Sequence, residues 1–85
     1  MARYHFHLKD GHPLPDRDGA ELPDLTSAKR EALTRLTRFM LEADEHAWAD
    51  HDWQVDVTDQ SGLTQFSMLV VTTEAPALLK QDSGN

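Results

Sequence analysis

The chain reads as a two-layer α+β domain: an antiparallel sheet of about four strands in the order β-β-α-β-β, with one helix packed on one face. Three observations predict this. Residues 2–9, ARYHFHLK, alternate with period two. Residues 25–43, LTSAKREALTRLTRFMLEA, carry one apolar stripe at helical spacing. Residues 53–58 and 63–72 alternate again around a turn. Period two marks a half-buried strand, and a period near 3.6 marks an amphipathic helix.

In the first strand Tyr4, Phe6 and Leu8 share one side, and Arg3, His5, His7 and Lys9 the other. Aromatic residues in alternation favour a strand with one face buried. Asp10-Gly11 and Asp16-Arg17-Asp18-Gly19 are turn signals, and Pro13 and Pro15 weigh against regular pairing between them. Residues 10–19 are therefore expected to form one exposed loop. Ala20 to Leu22 is a short strand that pairs antiparallel with the first, and Pro23 ends it.

Asp24 is the expected helix N-cap, because its carboxylate accepts from unpaired amides of the first turn; Thr26 is the alternative. Leu25, Ala28, Ala32, Leu33, Leu36, Phe39, Met40 and Ala43 form the stripe that faces the sheet. Glu31–Arg35 and Arg38–Glu42 are i,i+4 ion pairs worth ~0.3 kcal/mol each. Beyond Ala43 the stripe is lost, and the helix is expected to run on for a turn, with Trp48 packing back. Trp53, Val55 and Val57 then face inward from a strand. Asp59-Gln60-Ser61-Gly62 turns the chain, with Gly62 suited to positive φ. In the last strand Phe66, Met68 and Val70 share one side, opposite Leu63, Gln65, Ser67, Leu69 and Val71. Residues 1–73 form the domain, and residues 74–85 a tail expected to fray.

Composition limits function. Eighty-five residues bury only about 60–65% of the unfolded chain's surface, which leaves little room for a deep private active site. No cysteine is present, so disulfides and thiolate metal sites are excluded. The longest uncharged stretch, Gln60 to Thr73, is too short and polar to span a bilayer. A soluble, cytoplasmic protein without membrane contact is expected. The net charge of -7 argues against nucleic acid, whose binding rests on phosphate neutralisation. Charge is unevenly spread: Asp44 to Gln60 holds six acids and no Lys or Arg.

These strands and turns also carry a resemblance. RYHFHLKDG at 3–11, PDRDGAELPDL at 15–25, the Ala-, Leu- and Arg-rich helix and WQVDVTDQSG at 53–62 together resemble a family of short proteobacterial proteins described as a domain of unknown function. The similarity covers about residues 2–72. Arg3, Tyr4, Phe6, His7, Leu8, Asp10, Gly11, Asp16, Gly19, Glu21, Leu22, Pro23 and Asp24 match its pattern, while His5 stands where an aromatic residue is usual. The resemblance implies a shared fold and no assigned activity or cofactor. In general topology the chain is also similar to small antitoxin domains of the HicB type.

Several clusters invite a chemical reading. His5 and His7 project from one strand face, with His12 nearby, and imidazoles so placed can bind Zn²⁺, Ni²⁺ or Cu²⁺. His46, Asp50 and His51 form a second such group, with Asp44 and Asp52 beside it. The plain alternatives are a polar strand face and a solvated acidic loop. Asp10, Asp16 and Asp18 resemble part of a Ca²⁺ loop but lack the EF-hand pattern and its closing Glu; turn chemistry is the simpler reading. Ser27, Ser61 and Ser67 have no nucleophile elbow, and no phosphate-binding loop exists. No enzymatic activity, cofactor or assigned metal is expected.

One helix covers one face of a sheet and leaves the other open. Leu63, Leu69 and Val71, with Ala77, Leu78 and Leu79 beyond them, suggest a contact surface on that face. The leading expectation is a small non-catalytic interaction or regulatory module that forms a homo-oligomer, a dimer in the simplest case, or binds a protein partner. A histidine-based metal-binding or sensing domain is the second. An antitoxin-like or nucleic-acid-associated regulator acting through Arg30 and Arg38 is the third.

Overall fold

β1, Ala2–Lys9, is the strand against which three others pair. In the computed structural model, which describes residues 1–50, 52–73 and 75 (without the side chains of His46, Ala49 and Asp50), it runs through the middle of an antiparallel sheet. β4, Trp53–Asp59, lies along one edge of β1, with Val57 opposite Phe6 and Val55 opposite Leu8. β5, Thr64–Val70, pairs with β4, with Met68 opposite Val55 and Phe66 opposite Val57. A register shift at Val57/Thr58 marks a bulge just before the turn. Gly62 in that turn has φ +90°, as expected of a residue that L side chains tolerate poorly there.

The other edge of β1 carries two short strands. β2, Pro13–Leu14, pairs with Leu8 and Lys9, and β3, Ala20–Leu22, pairs with Ala2 to Tyr4. Among the described residues the sheet thus has five strands. The loop expected at 10–19 is interrupted by β2, despite its proline. Pro13 sits on the outermost strand of the sheet, where a missing N–H need not break a ladder.

α1, Leu25–Leu41, lies between the strand pairs in sequence and packs over β1, β3 and β4. Asp24 caps it: its Oδ1 accepts from the Ser27 amide at 2.8 Å. Ala28, Ala32 and Leu36 are buried, and the two alanines let the helix approach the sheet closely. Phe6, Leu36, Val55 and Val57 are the largest fully buried side chains. Each contributes about 1.5–3 kcal/mol of apolar burial. Two members of the expected stripe fall outside the core. Leu25 and Leu33 are exposed, because the helix seats on the narrower line through Ala28, Ala32 and Leu36.

The helix does not continue past Leu41 as expected. It ends with Glu42 and Ala43 donating back to Arg38 and Met40, and α2, Glu45–Asp50, starts afresh with Asp44 accepting from the Ala47 amide at 3.1 Å. Trp48 does pack back, as expected. Its indole N–H donates to the Met40 carbonyl at 3.0 Å, and its ring meets Trp53 at 5.6 Å. Phe39 meets the same Trp53 edge-on at 5.6 Å, so one indole joins both helices to β4.

Among the described residues no helix is long and apolar enough to cross a membrane. The tail residues expected to add to the contact surface, Ala77, Leu78 and Leu79, lie outside the described residues, as does His51; for His46 and Asp50 the side chains do.

Candidate functional site

The two edges of the sheet are built differently, and Asp16 makes the difference. Between β2 and β3 the chain loops away from β1, which leaves the β1 backbone near Phe6 without a neighbouring strand on that edge. Asp16 fills the gap. Its Oδ2 accepts from the Phe6 amide at 3.0 Å, and its Oδ1 accepts from the amides of Asp18 at 3.2 Å and Gly19 at 3.1 Å. Arg35 reaches down from α1 to Oδ2 at 3.3 Å while also holding Glu31 at 2.7 Å, and its guanidinium lies 4.6 Å from the centre of the Phe6 ring. Burial raises the Asp16 pKa. The amides of Phe6 and Gly19, then Arg35 and the Asp18 amide, outweigh it and hold the carboxyl below its ordinary value.

The backbone of Asp16 is engaged as well, through the two histidines. Its amide donates to His7 Nδ1 at 3.1 Å, and its carbonyl lies 3.1 Å from His5 Nδ1. These partners fix the tautomers. An amide can only donate, so His7 Nδ1 accepts and its proton sits on Nε2, which donates to Thr58 Oγ1 at 3.1 Å. A carbonyl can only accept, so His5 carries its proton on Nδ1. The two rings stack nearly parallel, with centroids 6.2 Å apart.

This arrangement limits what the two histidines can do. A base that activates a hydroxyl must offer it an unprotonated nitrogen. His7 presents an N–H to Thr58, so the pair is not poised for nucleophilic catalysis. As a metal ligand His7 would have to give up one of two hydrogen bonds. Among the described residues no group of three His, Asp or Glu side chains is placed to hold an ion. His12 lies in the exposed turn with Asp10, and the acids Asp10, Asp16 and Asp18 do not converge on one point. The sequence offers Asp16 as a turn acid or as part of a Ca²⁺ loop. Its partners Phe6 and Arg35 stand 10 and 19 residues away, where no periodicity points.

The open face of the sheet is a polar network. Arg3 pairs with Glu21 at 3.5 Å, and Asp56 accepts from Ser67 at 2.6 Å and Gln54 at 2.7 Å. The Ser67 hydroxyl, followed by Gln54, Lys9 and His7, holds the Asp56 carboxyl below its ordinary value against the effect of burial. Leu69 stands on this face opposite Gln54 and is 58% exposed. Leu63 lies in the β4–β5 turn and Val71 just past β5, both exposed. The apolar face expected from Leu63, Leu69 and Val71 is therefore a flank of β5 beside a polar surface.

β5 is the sheet's other edge. Among the described residues its outward side carries no Asp16-like cap, and Phe66, Met68 and Val70 on its helix side are only half-buried, because α1 is centred over β1 and β4. The stretch from Gln60 to Thr73 contains no charged residue. Natural edge strands are commonly protected by lysines, prolines, bulges or short length. At seven residues, β5 has neither charge nor proline; it does carry one bulge, at Gln65 near its start.

Arg30 and Arg38 are exposed on α1, eight residues apart, which is roughly 12 Å at 1.5 Å per residue. Arg38 shares a surface groove with Leu8, Glu31, Arg35, Phe39 and Glu42. The acids beside it offset a phosphate-binding field.

No curated protein and no solved structure matches this chain. The family described as "Domain of unknown function (DUF6894)" matches residues 3–72, which takes in both edges, α1 and the whole Asp16 network. The chain belongs to that family.

Proposed function

We propose that the domain is a non-catalytic interaction module that associates with a second copy of itself through the outer edge of β5. The observation that carries this reading is the contrast between the two edges. One is closed by β2, β3 and the Asp16 carboxylate; the other is a full-length strand with its outer backbone groups unpaired among the described residues and with half-exposed apolar side chains. Edge strands of this kind pair with further strands by main-chain hydrogen bonding. Charge favours a second copy at this place. The chain carries a net charge of -7, so two copies repel over most of their surface, and Gln60 to Thr73 is the uncharged stretch where they can meet. The tautomer of His7 supports the non-catalytic part of the reading.

A seven-residue strand pair is a small interface, so association in the micromolar range is expected. Sedimentation of the wild type across that range tests it, beside Leu69→Lys and Val71→Lys. Both side chains are more than half exposed, so their loss leaves the core alone. Lysine on an edge opposes strand pairing. The expected result is a concentration-dependent dimer that each variant weakens at least ten-fold, with the unfolding temperature changed by only a few degrees. A wild type that stays monomeric at high micromolar concentration would sink the proposal.

A further inference from the structure

Resting on that reading, we infer that the second copy is also held by an apolar trough above β5, between that strand and α1, with Trp48 as its anchor. The two flanks of the helix differ. Ala28, Ala32 and Leu36 face the sheet. Glu31 and Arg35 precede two of these residues, and Arg35 reaches Asp16 at the capped edge. At about 100° per residue, Lys29, Leu33 and Thr37, which follow the buried residues, lie on the opposite flank, toward β5.

α1 packs over β1, β3 and β4, and a helix about 10 Å across covers roughly two strands spaced ~4.8 Å apart. β5 is left as a shelf beside it. Phe66, Met68 and Val70 form the floor, the helix-side residues of the regular run that follows the bulge at Gln65. All three are only half-buried. Leu33 borders the shelf from α1 and is 56% exposed. Trp48 stands at the Val70 end: its ring meets Trp53, the register partner of Val70, and it is 50% exposed. A half-covered indole beside four aliphatic and aromatic side chains is the composition of an interface centre.

The charge pattern selects a second copy as the occupant. Gln60 to Thr73 is uncharged, and the charge on the adjoining flank is Lys29, a cation in a chain of net charge -7. A basic partner would be drawn to the acids elsewhere, whereas two acidic copies can approach only where acids are absent. Antiparallel pairing of β5 with its copy, about a two-fold axis perpendicular to the sheet, puts both α1 helices on the same face. The two troughs then join into one, with a Trp48 at each end, and each half-buried floor covers the other.

The chain has two tryptophans, and Trp53 is 3% exposed, so Trp48 supplies any change of emission on association. Over the concentrations used for sedimentation, emission should move to shorter wavelength and quenching by acrylamide should fall as the dimer forms. Leu33→Asp and Trp48→Ala should each weaken association roughly ten-fold or more. Leu41→Asp makes the same change of side chain and charge on the outward face of α1, where Leu41 is 75% exposed, and should leave association unchanged. Trp48→Ala also removes packing against Trp53; should it fail to fold, Leu33→Asp and the wild-type emission decide.

If the wild type dimerises and Leu69→Lys weakens it, but Trp48 emission stays fixed and Leu33→Asp dimerises normally, the trough is not part of the interface while edge association stands. If Leu41→Asp weakens the dimer as much as Leu33→Asp, the copies meet on the outer face of α1 and the trough is again wrong. If the wild type is a monomer, both readings fall.

Discussion

The Asp16 carboxylate accepts from the Phe6 backbone amide at 3.0 Å, so a side chain stands where a neighbouring strand's carbonyl would. The same carboxylate accepts from Arg35 of α1, so one group closes an edge of the sheet and pins the helix across it. Asp16 is largely shielded, with 17% of its side chain exposed. Removing it leaves the Phe6 amide and Arg35 without this partner. Asp16→Ala is expected to cost about 2–4 kcal/mol, since bonds to charged groups are worth ~1.5–3 kcal/mol and a shielded donor without an acceptor is penalised. Urea unfolding checks this. A loss below 0.5 kcal/mol would mean that water replaces the carboxylate at no cost.

Acid should act through the same group. Asp16 and Asp56 both have folded pKa values below the ordinary 3.8. A carboxyl whose pKa is lowered by folding contributes stability that is fully present well above 3.8 and is lost as pH falls through the folded value. Urea midpoints measured from pH 6 down to pH 3 should therefore decline, most steeply below pH 4. Asp16→Asn cannot ionise and should flatten the decline while lowering the plateau. If the variant and the wild type decline in parallel, Asp16 is not among the groups responsible.

Two glycines with positive φ separate backbone conformation from space. Gly19 has φ +69°, and a Cβ there would lie 2.7 Å from the Tyr4 carbonyl oxygen and 3.0 Å from the His5 ring. Gly62 has φ +90° and nothing within 4 Å of that position. Gly62→Ala should cost the backbone term alone, about 1–2 kcal/mol. Gly19→Ala adds a collision with backbone that cannot move without breaking the β1–β3 ladder, and should cost clearly more. Equal losses in thermal unfolding would show that the loop at Gly19 gives way.

What the sequence made legible is the part governed by short-range pattern. Alternation through Tyr4, Phe6 and Leu8 places β1, Asp24 places the helix start, and Gly62 places the turn between β4 and β5. The inward set of β5 follows from parity and holds in the structure. The rest depends on contacts between distant positions. Leu33 fits the stripe but stays exposed, because a helix resting on alanines needs a narrow strip of contact. β2 exists because Leu8 and Lys9 reach back across the turn at 10–12, a pairing that a proline on each side of Leu14 obscures. Of the candidate site, the composition of β5 was plain; that the opposite edge is capped was not, since Asp16 resembles any turn acid until its partners are known.

The histidine pair supplies the last expectation. For His7 to ligate a metal through Nδ1, the Asp16 amide must lose its acceptor; through Nε2, the bond to Thr58 must go. Each lost bond in this half-buried place costs about 1–3 kcal/mol, or roughly ten-fold or more in affinity. His5 brings one further ring, already held through Nδ1 by the Asp16 carbonyl. Two imidazoles already held by hydrogen bonds, with no third ligand among the described residues, make a weak site. Calorimetric titration with Zn²⁺, Ni²⁺ and Cu²⁺ should accordingly give the same isotherm for the wild type and for a His5→Gln/His7→Gln variant. Comparing the two isolates the pair from any binding at His46 or His51. Heat that disappears only in the variant would show that Asp16 yields His7 to a metal, and the same edge would then open when the metal binds.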